Sequence, residues 1–129
     1  MGLSSVQRRI DEGTTPVYSA TLRDEASVAI PLASISTIQL TYYDRGSGTV
    51  INSRDDQNVK NANNVTIHAT SGLLTWSLQP EDTAIIGTSW DAGDVETHIA
   101  LFEWTLTNGK RGKKEVRFDV INLKKVGSD

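Results

Sequence analysis

A chain of 129 residues without a single cysteine can bury one domain's core unaided, and it excludes a disulfide framework, a thiolate nucleophile and a zinc–thiolate site. Val, Ile and Thr supply 34 of those residues, and side chains branched at Cβ suit a pleated strand better than a helix. The net charge of −3 hides a split, because residues 1–109 carry 6 basic and 13 acidic side chains (−7) whereas residues 110–129 carry 7 and 3 (+4).

No apolar run approaches the roughly 20 residues that span a bilayer, so no membrane contact is expected. The opening MGLSSVQRRIDEG has no apolar stretch of the signal-peptide kind. Its Met-Gly start lacks the Ser or Thr of a myristoylation site, because Val6 stands there.

Residues 1–16 keep neither a helical nor a strand period and end at Thr14-Thr15-Pro16, a boundary into extended structure. They read as an N-terminal arm, with a sandwich over 17–125 and a short tail over 126–129. So few apolar groups cannot order an arm by themselves. Its own domain or a neighbouring subunit must hold it, and Leu3, Val6 and Ile10, flanked by Arg8 and Arg9, are the side chains suited to a neighbour.

Tyr18, Ala20 and Leu22 alternate with polar residues as a first strand, and a short apolar segment follows at 28–32. Ile38, Leu40 and Tyr42 form the next strand, ending in a Gly-rich turn at 44–48 with a short return over 49–52. The longest polar loop, 53–64, has room for a helical turn. Val65, Ile67 and Ala69, then Leu74, Trp76 and Leu78, give two more strands around the Ser71-Gly72 turn. Pro80, Glu81 and Asp82 suit the first turn of a helix, with proline first and acids at its positive end.

The clearest element is the last, a hairpin over 96–123. Ala100, Phe102, Trp104 and Leu106 alternate with Ile99, Leu101, Glu103 and Thr105, Asn108-Gly109 makes the turn, and Val116, Phe118 and Val120 line the return. Ile121 and Leu123 fall out of phase with Val120, which allows a bulge. About seven short strands separated by turns specify an all-β, antiparallel β-sandwich. Trp76 and Trp104 should be buried between its sheets.

The segment SLQPEDTA, residues 77–84, resembles the corner joining opposite sheets in antibody variable domains. Ile86 stands where that pattern has its corner tyrosine, and Thr88 where it has its second cysteine. More broadly, GTTPV at 13–17, IQLTYYD at 38–44, GLLTW at 72–76 with Pro80 and Asp82, and ALFEW at 100–104 are similar to small immunoglobulin-like proteins of tailed-bacteriophage particles. That resemblance implies an immunoglobulin-like sandwich in a structural protein of the neck, tail, baseplate or head decoration. It implies a virion location after synthesis in the host cytoplasm, and contacts with other virion proteins and with copies of itself. Fold alone assigns no function, so the side chains must be read separately.

The catalytic inventory is thin. His68 points away from its strand's apolar face, and His98 shares the inward parity of Ala100 at the strand's open end. A metal site joining both histidines to Asp94 or Glu96 can be drawn, and Asp55-Asp56 and the set Asp91, Asp94 and Glu96 are loop acids of the kind that bind calcium, but neither of these has a spaced ligand ladder with glycine, so solvated acids are expected. No nucleophile elbow, phosphate-cradling loop or contrasting carboxylate pair is visible. The expectation is a protein without enzymatic activity, cofactor, metal or small-molecule substrate.

Three binding modes remain. Assembly through protein contacts leads, supported by apolar residues on nominally outer faces (Tyr43, Leu73, Ile99, Leu101) and by Lys110, Arg111, Lys113 and Lys114 at the hairpin turn. Those cations either dock an acidic surface or form a solvated turn. The alternative function is a carbohydrate-binding sandwich attaching to the host surface, with Trp90 as a stacking platform. Nucleic acid is the least suited ligand, because the basic turn has no aromatic stacking surface and the chain is acidic.

Overall fold

The computed structural model describes residues 5–87 and 93–123, with side chains from Arg9 onward. The described residues form eight strands, β1 (Ser5–Asp11), β2 (Val17–Thr21), β3 (Ile35–Asp44), β4 (Gln57–Asn58), β5 (Val65–Ile67), β6 (Leu73–Ser77), β7 (Val95–Leu106) and β8 (Arg111–Ile121). Two 3-10 turns, Leu32–Ser34 and Pro80–Asp82, complete the regular structure. One sheet runs β1-β8-β7-β3-β4 and faces a second of order β2-β6-β5. This is an immunoglobulin-like β-sandwich. Its larger sheet carries the extra edge strand β4 typical of variable-type domains.

The alternation read from the sequence sets the core. Ile38, Leu40 and Tyr42 from β3, Ala100, Phe102 and Trp104 from β7, and Val116, Phe118 and Val120 from β8 face Tyr18, Leu74, Trp76, Val65 and Ile67 across the sandwich. Trp76 is fully buried and Trp104 is 7% exposed. Around Trp76 the rings of Tyr42, Phe102 and Phe118 meet edge-on, with centroids 5.1, 5.8 and 5.7 Å away, an arrangement that adds to area burial. Gly72 closes the β5–β6 turn at φ +70°, and a Cβ there would lie 2.5 Å from the Ile30 carbonyl oxygen, so no other residue fits without backbone movement.

Three expectations are corrected. Residues 5–11 do not stand apart as an arm: they are an edge strand, paired in parallel with β8 from Ser5 opposite Glu115 to Asp11 opposite Ile121. The sandwich is therefore not wholly antiparallel. β7 and β8 pair without interruption from Val95 opposite Ile121 to Thr105 opposite Arg111, so the described pairing has no bulge at Ile121; a register irregularity lies instead between Ile35 and Thr37 of β3. The apolar outer patch is mostly closed, because Ile99 is buried and Tyr43 and Leu101 are half-buried. Leu73, at 40% exposure, sits on the other sheet.

The loop over 53–64 contains β4 and no helical turn. Ser53, Asp56, Asn61, Asn63 and Asn64 all have positive φ, and Asn and Asp tolerate that conformation better than other side chains. Val59, fully buried, anchors the loop.

Candidate functional site

Two polar regions stand out, one sealed and one open. The sealed region starts at the 80–82 turn. Asp82 is fully buried, and its Oδ2 accepts the Gln79 backbone N–H at 2.7 Å, capping that turn. The Arg54 guanidinium donates to the same carboxylate through Nε at 2.6 Å and Nη2 at 3.0 Å. Its remaining N–H groups reach Gln57 Oε1, the Asn63 carbonyl and Asn64 Oδ1, so all five donors are used. The guanidinium also lies 5.4 Å from the Trp76 ring centroid.

The Tyr42 hydroxyl donates to the Asp82 carbonyl at 2.9 Å. It thereby anchors the corner from the opposite sheet, a job that Ile86 cannot do from the usual tyrosine position. Burial, reinforced by the Asp82 carboxylate, drives the Tyr42 phenol far above its ordinary ionisation range, so it remains a donor. Beyond it lies His98, fully buried, with Nδ1 3.3 Å from the phenol oxygen and Nε2 2.6 Å from Glu96 Oε1. Glu96 also accepts the backbone N–H groups of Ile86 at 2.7 Å and Gly87 at 2.9 Å.

Asp44, Glu96 and His98 bring donor atoms within 4.8 Å of one another. The set does not fit a metal ion as it stands. Two tetrahedral ligands with bonds near 2.1 Å sit about 3.4 Å apart, whereas His98 Nε2 and Glu96 Oε1 are in direct hydrogen-bond contact. Asp44 is committed elsewhere, accepting from the Ser47 amide and hydroxyl at 3.1 and 2.7 Å. His68 is exposed, and its Nδ1 accepts the Ser71 N–H at 3.1 Å in the other sheet's turn, so the two histidines are not brought together. This region is a structural lock.

The open region is the tip of the β7–β8 hairpin. Gly109, at φ +88°, closes the turn by donating to the Leu106 carbonyl at 2.9 Å. Between the tip and the 20–27 stretch runs an open groove of about 1100 Å³, lined on the hairpin side by Trp104, Leu106, Lys110, Gly112 and Lys114 and opposite by Ala20, Arg23 and Glu25. Gly112 pairs with Trp104, and a Cβ there would lie 2.5 Å from the indole, so the ring occupies the space over the glycine and floors the groove. Lys110 forms an ion pair with Glu25 across it. That hydrogen bond, with the carboxylate's charge, raises the lysine's pKa. Both partners are well exposed, so the pair adds little stability. Arg111, Lys113 and Lys114 form no ion pair with any described residue.

The structure gathers Lys110, Arg111, Lys113 and Lys114 at the hairpin tip, on both faces of β8, and disperses the N-terminal set. Ile10 is 7% exposed within the core, which corrects its expected place against a neighbour; Arg9 is exposed. Val6 and Arg8 lie on β1 opposite Val116 and Phe118, with side chains outside the described set. Leu3 and Trp90 lie outside the described residues. Sequence reasoning missed Arg54, Asn64 and Tyr42 as members of the lock. The variable-domain corner at 77–84 was the available signal, since a buried corner carboxylate requires a cation.

No protein-family model matches the chain, and no curated protein matches it. Among solved structures, the first immunoglobulin-like domain of human CD48 antigen is similar, at 17% identity over 91% of this chain and 82% of that one, with a TM-score of 0.36.

Proposed function

We propose that this chain is a non-enzymatic building block of a tailed-phage particle, working through protein–protein contacts with other virion proteins and with copies of itself. The observation that carries the reading is the hairpin tip, where three cations without an ion pair among the described residues stand beside an open groove, Lys114 on its side of β8 and Arg111 and Lys113 on the other face. Cations left unpaired beside a concave surface suit an acidic partner, and their long-range field speeds and orients docking. The polar residues that could have served chemistry are consumed by the Arg54–Asp82 and Glu96–His98 contacts. The likeness of the 13–104 segments to phage immunoglobulin-like proteins supplies the setting, at the neck, tail, baseplate or head surface.

The test is immunogold labelling of tailed-phage particles from the strain that encodes the chain, using antibodies against the purified protein. Labelling at a fixed place on the particle is the expected result. Particles that carry no label, while the free protein in the same lysate is recognised, would overturn the reading.

A further inference from the structure

The turn of the β7–β8 hairpin carries chemistry that needs no partner. Asn108-Gly109 is the one Asn-Gly pair among the chain's seven asparagines. Such a pair can modify itself, because glycine has no side chain to shield its nitrogen from the carboxamide before it. Both residues are exposed at the tip, and no described atom lies within 4 Å of the place a Cβ on Gly109 would take. Other asparagine side chains are committed, Asn52 to the Asp82 carboxylate, Asn63 to the Asn58 carbonyl and Asn64 to Arg54. We propose that Asn108 is a site of spontaneous deamidation, gated by opening of the turn.

The closed turn holds the reacting atoms in check. The Gly109 N–H donates to the Leu106 carbonyl at 2.9 Å, so the anion left by loss of that proton would face an oxygen lone pair. The Asn108 Oδ1 accepts the Lys110 N–H at 2.9 Å, which fixes the side-chain rotamer. When the tip opens, the Gly109 nitrogen gives its proton to base and attacks Asn108 Cγ. A C–N bond forms, the side-chain nitrogen leaves as ammonia, and a five-membered succinimide remains. Water then opens that ring, at Cγ to give aspartate or at the main-chain carbonyl to give isoaspartate. One water enters, one ammonia leaves, and nothing is oxidised or reduced. Either product sets a carboxylate beside Lys110, and isoaspartate also lengthens the main chain of the turn by a methylene. Under the assembly reading above, conversion lowers the positive charge of the docking tip and so ages it.

The full-length chain and a blocked peptide of residues 106–110 are incubated side by side in mildly alkaline buffer. Digests are then read by mass spectrometry for conversion at each asparagine and for isoaspartate. Asn108 should convert before any other asparagine, and at least about tenfold more slowly than in the peptide. Exchange of the Gly109 amide hydrogen also requires loss of that proton to base, so it reports the same opening. Its protection in the chain should match the slowing of Asn108. Thr107→Gly keeps the N–H that residue 107 donates to the Ser34 carbonyl but loosens the turn. Exchange and conversion should then quicken together, by about threefold. Conversion as fast in the folded chain as in the peptide would overturn the proposal, since the turn would gate nothing. So would another asparagine converting first, an unconverted Asn108 beside a freely exchanging Gly109 amide, or a Thr107→Gly chain in which exchange quickens and conversion does not. Particle labelling depends on none of these outcomes, so the assembly reading and this site can fail separately.

Discussion

The two ends of the β7–β8 hairpin share one alternation and have opposite chemistry. Near its start, the inward positions Glu96 and His98 are buried and meet the 86–87 backbone and Tyr42. Near its turn, the inward positions Lys114 and Gly112 are half-open to solvent. The difference lies in the second layer. The smaller sheet and the 80–87 corner close over one end, while at the other the facing segment of residues 20–27 stands off and leaves a groove. Parity along a strand says which way a side chain points, and the facing layer decides whether it is sealed. A sealed polar group must be fully partnered, whereas an open one is free to bind.

The largest expected effect lies at the sealed end. Asp82→Ala leaves the Arg54 guanidinium buried without its carboxylate and should cost about 3–5 kcal/mol in denaturant unfolding. A loss under about 1 kcal/mol would show that solvent reaches Arg54 and that this end is not sealed. Next is the edge strand. Ile10→Ala removes a core side chain and should cost about 2–4 kcal/mol; an unchanged midpoint would restore the N-terminal segment to a free arm. Tyr42→Phe removes only the hydroxyl bonded to the Asp82 carbonyl and should cost about 1 kcal/mol by the same measurement. If instead it cost as much as Asp82→Ala, the corner would hang on the phenol and not on the carboxylate. The smallest change in stability belongs to the open end. Serine at positions 110, 111, 113 and 114 should shift unfolding by no more than about 0.5 kcal/mol, and any larger loss would mean that these cations support the fold.

Much of the sandwich was legible because period-two alternation in β2, β3, β6, β7 and β8 is strong and the turns carry Gly, Pro and Asn at the right places. β1 was not legible. Residues 5–11 (SVQRRID) are mostly polar, and among the described side chains only Ile10 enters the core. A parallel edge strand is held by backbone pairing with β8, which no local pattern announces. The lock was hidden for a similar reason, since Arg54 sits in a polar loop and meets Asp82 across 28 positions of sequence. The basic tip was visible in charge alone, but its groove depends on Gly112 lying opposite Trp104, a juxtaposition that appears only once the strand register is set.

The central claim is that stability resides at the sealed end and docking at the open one. Under the proposed role in a phage particle, its most direct test is to produce phage with the quadruple serine variant in place of the natural chain, and to measure unfolding of the purified variant alongside its incorporation into particles. The account predicts a wild-type unfolding midpoint and particles that lack the variant. A variant that folds normally and is incorporated at the wild-type level would contradict it.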